Sequence, residues 1–210
     1  MPMKAQREYR TLAAVMEVQA DAKEDEMIVE GYATTFNQPY ELYSYGNYRY
    51  MEQVDPNAFE ECDMDDVIMQ YDHAGRVYAR TRNGTLKLEV DDRGLKITAD
   101  LSKTDTARQL YQEIREGMTD RMSFGFIVGL DERTHIEDAD AGTYTVMRTI
   151  KRFKKLYDVS AVSIPANDQT SISARTLSDG WIAEAEAERL RAQRKARLAL
   201  KIKMMEGEFA

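Results

Sequence analysis

Two glycine-containing turns, set into alternating apolar and polar residues, constrain this chain more than any other feature of its sequence. The turns are Arg82-Asn83-Gly84 and Asp91-Asp92-Arg93-Gly94, and Gly and Asn favour the positive φ angles of tight turns. The apolar residues after each turn recur at every second position: Leu86, Leu88, Val90, Leu95, Ile97 and Ala99. Since alternate side chains of a strand share one face, the sequence predicts antiparallel strands across residues 77–101.

Other short apolar runs, bounded by turn residues, predict further strands. They cover residues 10–18, 27–36, 67–71, 121–130, 143–155 and 156–164. A helix is predicted over residues 102–117, because Thr104 or Asp105 can cap its start. Asp55 and Pro56 predict a second, short helix that ends at about residue 62. Strands that outnumber helices in this way indicate an α+β fold.

Charge is distributed unevenly along the chain. The formal net charge is -8, and residues 181–210 carry seven Lys/Arg against five Asp/Glu, a net of +2, so residues 1–180 carry -10. This acidity argues against a nucleic-acid-binding protein, because phosphate contacts need a basic surface. In the tail, glutamates precede the arginines and lysines among many alanines, a pattern that favours a helix.

Three features of the sequence indicate the cellular compartment of the protein. The single Cys62 cannot form an internal disulfide, which fits a reducing cytoplasm. The N-terminus leads into no apolar signal-peptide core, and no apolar run is long enough to span a bilayer. We therefore predict a soluble intracellular protein without a membrane partner.

Three segments place a polar residue with catalytic chemistry within or beside a strand. Ser123 lies inside Arg121-Met122-Ser123-Phe124-Gly125-Phe126, His73 lies between a strand and Gly75, and Asp158 enters the last strand. A serine hydroxyl is a weak nucleophile and needs an adjacent base, so we interpret Ser123 with His73 as a serine peptidase site. Taken alone, each has a more common structural role, as a small core serine and a satisfied turn histidine.

The sequence allows two interpretations of the role of Asp158. It lies between Tyr157 and Val159, and a carboxylate among apolar residues is costly to bury unless it is paired. It is therefore either an ion-pair partner of Arg121 or a nearby lysine, or the group that orients His73.

The remaining reactive residue types have ordinary structural explanations. Cys62 is surrounded by acids that would suppress its thiolate, and His135 lies in an acidic segment predicted to be exposed. Asp91 and Asp92 form a turn without a cluster at metal-ligand spacing, so no metal or cofactor is expected. Five tyrosines within residues 40–50 predict a solvent-facing hairpin, with a partner-binding loop as the less favoured alternative.

In their order along the chain, these segments resemble the tailed-phage prohead proteases, a family related in fold to herpesvirus assemblin. The family pattern is a His after a short strand, a hairpin ending in Gly-Leu, a helix, a Ser-Phe-Gly-Phe strand and a Val-Ser-x-Val-x-x-Pro-Ala strand. The matching positions are His73, Gly94-Leu95, 104–116, 123–126 and 159–166. Each motif is weak alone, but their combined order makes the resemblance specific.

The resemblance implies a serine endopeptidase that matures the phage head. It implies that Ser123 is the nucleophile, His73 the general base and Asp158 the third member of the triad. The implied fold is a small, mostly antiparallel β-barrel decorated by helices.

The resemblance also implies partners and domain limits. The implied substrates are the scaffolding segment of the major capsid protein and the protease itself, cleaved inside the assembling procapsid in the host cytoplasm. The relation to assemblin suggests a homodimer. The protease domain would cover residues 10–170, after an N-terminal extension of residues 1–9. The charged helical tail, residues 171–210, would then be a candidate for removal by self-cleavage.

Two alternatives of other classes remain open from the sequence. An inactive structural or scaffolding head protein with a protease-like fold would leave the capsid protein uncut. A β-barrel protein-binding module would keep its function when Ser123 is replaced. Triad geometry is a three-dimensional property, so the positions of the side chains are needed to distinguish these alternatives from a protease.

Overall fold

The computed structural model describes residues 7–18, 26–138 and 141–163, together with seven positions between 187 and 198 that have helical backbone. Within the three continuous ranges, the chain forms two β-sheets and an α-helix, α1 (Asp105–Arg115). The first sheet contains β1 (Glu8–Val15), β4 (Tyr40–Tyr45), β5 (Tyr48–Val54), β6 (Ile68–Tyr71), β7 (Ala74–Arg80), β10 (Arg121–Asp138) and β11 (Thr143–Val162). The second contains β2 (Glu17–Val18), β3 (Ile28–Thr35), β8 (Leu86–Val90) and β9 (Gly94–Asp100).

The long antiparallel pair of β10 and β11 forms the centre of the first sheet, whose main strand order is β1-β10-β11-β5-β4. One edge of β11 pairs with β10. The other edge pairs in parallel, first with β5 and then, closer to its end, with β6. β6 continues into β7 as an antiparallel hairpin. As a result, β1, β10, β11 and β6 lie side by side over the last part of β11.

The second sheet has the order β2-β3-β9-β8 and is antiparallel throughout. The chain passes from the first sheet to the second at Met16, which is buried and whose N–H donates to the carbonyl of Asp120 at 2.9 Å. The predicted strands across residues 77–101 are confirmed as β7, β8 and β9. The first of their turns is a 3-10 turn that ends at Gly84, where φ is +76°.

The predicted β-barrel is wrong, although the mostly antiparallel α+β character is confirmed. Within the described ranges the two sheets stay separate and neither closes on itself. The physical reason is that β11, with 20 residues, is far longer than β5 and β6, which have 7 and 4. Along one edge, β11 pairs first with β5 and then with β6. The first sheet therefore branches there and does not close onto its first strand.

Alternation along β10 separates the core from the opposite face of the first sheet. Met122, Phe124 and Phe126 are fully buried in the core. The ring centroids of Phe124 and Phe126 are 4.7 Å apart, and those of Phe126 and Phe153 are 4.8 Å apart. Burying each such ring contributes about 1.5–3 kcal/mol. The intervening residues, which include Ser123, point to the other face because strand side chains alternate.

One predicted helix is confirmed and the other is wrong. The Thr104 hydroxyl caps α1 by accepting from the N–H of Ala107 at 3.2 Å, an interaction worth about 1 kcal/mol. The segment after Pro56 forms successive turns instead of a helix. In a helix, the Ala58 carbonyl would accept from an N–H four residues later. Here it accepts instead from the N–H of Phe153 at 2.8 Å.

Within the described ranges, the structure contains no helix with the length and apolar character needed to cross a membrane. Seven positions of the charged tail have helical backbone. The rest of residues 171–210 lies outside the described residues, so the helical tail stays a prediction.

Candidate active site

The face of the first sheet opposite the core carries two rows of neighbouring residues across β1, β10, β11 and β6. One row is Thr11, Ser123, Ser160 and Gln70. The next is Tyr9, Gly125, Asp158 and Ile68. Directly paired residues of adjacent strands share a face, so Ser123 and Asp158 lie diagonally across β10 and β11 on the same surface.

His73 reaches this surface from the tight turn between β6 and β7. Asp72 and His73 have φ values of +47° and +57°, and both central residues of a type I′ turn need positive φ. The backbone N–H of Asp72 donates to the carbonyl of Ala161 at 2.9 Å. Its carboxylate accepts from both the N–H and the hydroxyl of Ser163, each at 3.2 Å. These bonds hold the turn against the end of β11.

The three predicted site residues form one hydrogen-bonded chain. His73 Nε2 lies 2.6 Å from Ser123 Oγ, and His73 Nδ1 lies 2.6 Å from Asp158 Oδ2. An ionised carboxylate only accepts, so Nδ1 carries the proton and donates to Asp158. Nε2 is then free to accept from the serine hydroxyl. This is the arrangement that a serine needs in order to lose its proton to a base.

Asp158 is a buried carboxylate with three donors. Besides His73, Ser160 Oγ donates to Oδ2 at 3.3 Å and Arg7 Nη2 donates to Oδ1 at 2.5 Å. Burial opposes ionisation, but the hydrogen bond and charge of His73 and the charge of Arg7 outweigh it. The pKa of Asp158 therefore lies below its ordinary value, and the carboxylate is charged at neutral pH.

Gly125 makes room for that carboxylate. A Cβ at this position would overlap Asp158 Oδ1 and would lie 2.9 Å from the Tyr9 ring and 3.0 Å from Arg7 Nε. The glycine of the Ser-Phe-Gly-Phe segment is thus required because the side chains of Asp158, Tyr9 and Arg7 pack against it, and not because of its φ.

Sequence reasoning missed two residues of the N-terminal segment that contact the site. The ring centroids of Tyr9 and His73 are 4.4 Å apart. The Arg7 guanidinium lies over the rings of Tyr9 and Tyr157, 5.0 and 4.6 Å from their centroids. No local pattern marks Arg7, because its partner Asp158 is 151 positions away. Only the pairing of β1 with β10 could have revealed it.

The other predicted partners and candidates have separate roles. Arg121, suggested above as a partner of Asp158, pairs with Asp120 at 3.4 Å. Cys62 is partly buried, which raises the pKa of its thiol to about 12. His135 is exposed on β10, and Asp91 accepts from two N–H groups of its own turn. Among the described residues, no three potential metal ligands cluster together.

Comparison with known proteins identifies the family of the chain. Residues 14–180 match the caudovirus prohead serine proteases. Searches among curated proteins and among solved structures returned no match. The matched range covers well over half of the chain and confirms the resemblance seen in the sequence. The chain therefore belongs to the caudovirus prohead serine protease family.

Proposed function

We propose that this protein is the serine endopeptidase of phage head maturation, with Ser123 as nucleophile, His73 as general base and Asp158 as the orienting carboxylate. The observation that carries the proposal is the unbroken chain Ser123–His73–Asp158, with 2.6 Å at both hydrogen bonds. Family membership supports the same activity, because prohead serine proteases act in head assembly.

The geometry accounts for each proton transfer of acyl transfer. Ser123 Oγ attacks the carbonyl carbon of the scissile peptide while its proton moves to His73 Nε2. Asp158 stabilises the resulting imidazolium through the Nδ1–H bond. The imidazolium then donates its proton to the leaving amine as the C–N bond breaks, and a water molecule repeats the sequence on the acyl-enzyme. General base catalysis of this kind contributes roughly 10²–10⁴-fold.

The proposed substrates are the scaffolding segment of the major capsid protein and the protease itself. Family membership supports a phage capsid protein as substrate. Self-cleavage of the charged tail and formation of a homodimer are further parts of the proposal. Both are placed inside the assembling procapsid.

Co-expression with the major capsid protein of the same phage tests the proposal by intact-mass spectrometry. Wild type should shorten the capsid protein, and Ser123→Ala should leave it at full length. Ser44→Ala is the matched control. Ser44 is exposed in β4, and its hydroxyl donates to the Glu41 carboxylate at 2.8 Å, away from the candidate site. Cleavage by Ser123→Ala at the wild-type rate would remove Ser123 as nucleophile, and full-length products throughout would favour an inactive head protein.

A fluorophosphonate probe tests the nucleophile without any peptide substrate. Ser123 Oγ would form a bond to phosphorus, fluoride would leave, and His73 would take the serine proton. Wild type should gain one probe mass at Ser123, whereas Ser123→Ala and His73→Ala should stay unlabelled on the same time scale.

A further inference from the structure

The N-terminal segment directs alternate side chains to opposite faces of the first sheet. Arg7 and Tyr9 contact the Asp158 and His73 side chains. The residues between and after them, Glu8 and Arg10, point to the other face. This alternation places one short segment in contact with both the candidate site and the protein interior.

The interior contacts anchor the segment. Arg10 donates to Glu52 through Nε at 2.6 Å and through Nη2 at 3.0 Å. Arg148 joins Glu8 and Glu52, each at 2.8 Å from its Nη1. Glu52 is fully buried and Arg10 is 6% exposed. Buried, paired charges of this kind hold β1 to β5 and β11 in one register.

The site contacts fix one carboxylate. Arg7 bonds Asp158 Oδ1, which leaves Oδ2 for His73. The guanidinium is in turn held between the rings of Tyr9 and Tyr157, a favourable place for a cation. Gly125 lies directly against Oδ1 on the remaining side. The carboxylate therefore cannot rotate without breaking the Arg7 bond.

We propose that Arg7 is a positioning residue of the proteolytic site, which orients the Asp158 carboxylate toward His73 and is delivered by the anchored strand β1. The inference rests on the proposed function. Arg7 contacts neither Ser123 nor His73 through a hydrogen bond, so it acts through the Asp158 carboxylate that it bonds.

The test measures the rate of fluorophosphonate labelling of the full-length protein at neutral pH. Labelling of wild type, but not of Ser123→Ala, first establishes the serine site. Arg7→Met should then lower the labelling rate roughly tenfold or more. Arg7→Lys keeps a charged donor for Asp158 Oδ1 and should recover part of that rate. Arg115→Met, at an exposed position of α1, is the matched control and should behave as wild type.

A double-mutant cycle separates positioning from a general effect on folding. In the Asp158→Asn background, Arg7→Met should change the labelling rate less than twofold, because the group it acts through is already neutral. The proposal is overturned if Arg7→Met labels like wild type, if its loss is equally large in the Asp158→Asn background, or if Arg7→Lys labels no faster than Arg7→Met. Equal labelling of wild type and Ser123→Ala would instead refute the proposed function.

Discussion

Gly125 lies two positions after Ser123 in β10 and directly opposite Asp158 in β11. The same short segment therefore supplies both the nucleophile and the space that the carboxylate occupies. A side chain at this position would meet Asp158, Tyr9 and Arg7 together. The local sequence around the serine thus determines where the acid can lie, although the acid comes from another strand.

Gly125→Ala should displace the Asp158 carboxylate and slow fluorophosphonate labelling roughly 10²-fold, the usual effect of a misplacement of about 1 Å. Gly129→Ala is the matched control in the same strand. Its Cβ would lie 3.3 Å from Arg152 Nε, at the end of a flexible side chain. Equal labelling rates for the two variants would contradict the packing argument.

Asp158→Asn should slow labelling by roughly 10³–10⁴-fold while the fold is retained. The amide can donate as well as accept, so it no longer requires Nδ1 to carry the proton. His73 can then present a proton to the serine in place of a lone pair. Labelling rates measure the loss of reactivity, and circular dichroism spectra check that the fold is retained. A loss of labelling rate below tenfold would show that Asp158 is dispensable for control of the His73 tautomer.

Among elements, the turn between β6 and β7 brings His73 to the site. Its two central residues both have positive φ, and Asp72 is bonded to Ser163 and Ala161. A short turn of this kind has few conformations, so its anchored carboxylate limits the positions that the His73 ring can take.

Asp72→Ala should lower the free energy of unfolding by about 1–2 kcal/mol, because alanine tolerates positive φ poorly and loses both bonds to Ser163. The labelling rate should fall with it. Asp72→Asn is the control, since asparagine also tolerates positive φ and its carbonyl can accept from Ser163. Urea unfolding and probe labelling check the pair, and equal stability of the two variants would contradict this account.

Local patterns predicted the elements well and their pairing poorly. The position of His73 at a strand end and of Ser123 within a strand followed from apolar runs and turn residues. The strand predicted over residues 121–130 extends to Asp138, because the acidic segment around His135 pairs with β11 while it stays exposed. Pairing between strands that are distant in the chain produces no pattern in the local sequence of either strand. For that reason the parallel contact of β6 with β11 and the place of Arg7 were not predicted.

At the scale of the whole molecule, a buried ionic network joins the first strand to the middle of the chain. Its members are Glu8, Arg10, Glu52, Asp131 and Arg148. Buried ion pairs are weak sources of net stability, but removing one partner leaves an uncompensated charge. The network therefore specifies the docking of β1 more than it adds stability.

Glu8 should make stability depend on pH in acid. Burial opposes its ionisation, but the hydrogen bond from Arg148 and the charges of Arg10 and Arg148 outweigh it and lower the pKa from 4.5 to about 2. A lowered pKa gives stability that is present above the unfolded value and is lost as pH falls toward the folded one. This contribution is roughly 3 kcal/mol.

The measurement is urea unfolding of wild type and Glu8→Gln across this range. The difference in free energy of unfolding should be constant above about pH 5 and should shrink as the pH falls toward about 2. A difference that is independent of pH would contradict the assignment. Glu41→Gln, at an exposed position of β4, is the control that should show little difference at any pH.

The separations along the chain also determine when a newly made copy can begin to react. His73 precedes Ser123 by 50 positions and Asp158 by 85, and Arg7 precedes Asp158 by 151. At roughly 5–20 residues per second of translation, Arg7 waits on the order of 10 s for its partner. A nascent chain that ends between Ser123 and Asp158 contains the proposed nucleophile and base but lacks the acid. β11 is the last strand of the described region to be made, so the hydrogen-bonded chain Ser123–His73–Asp158 cannot form until that strand has been synthesised.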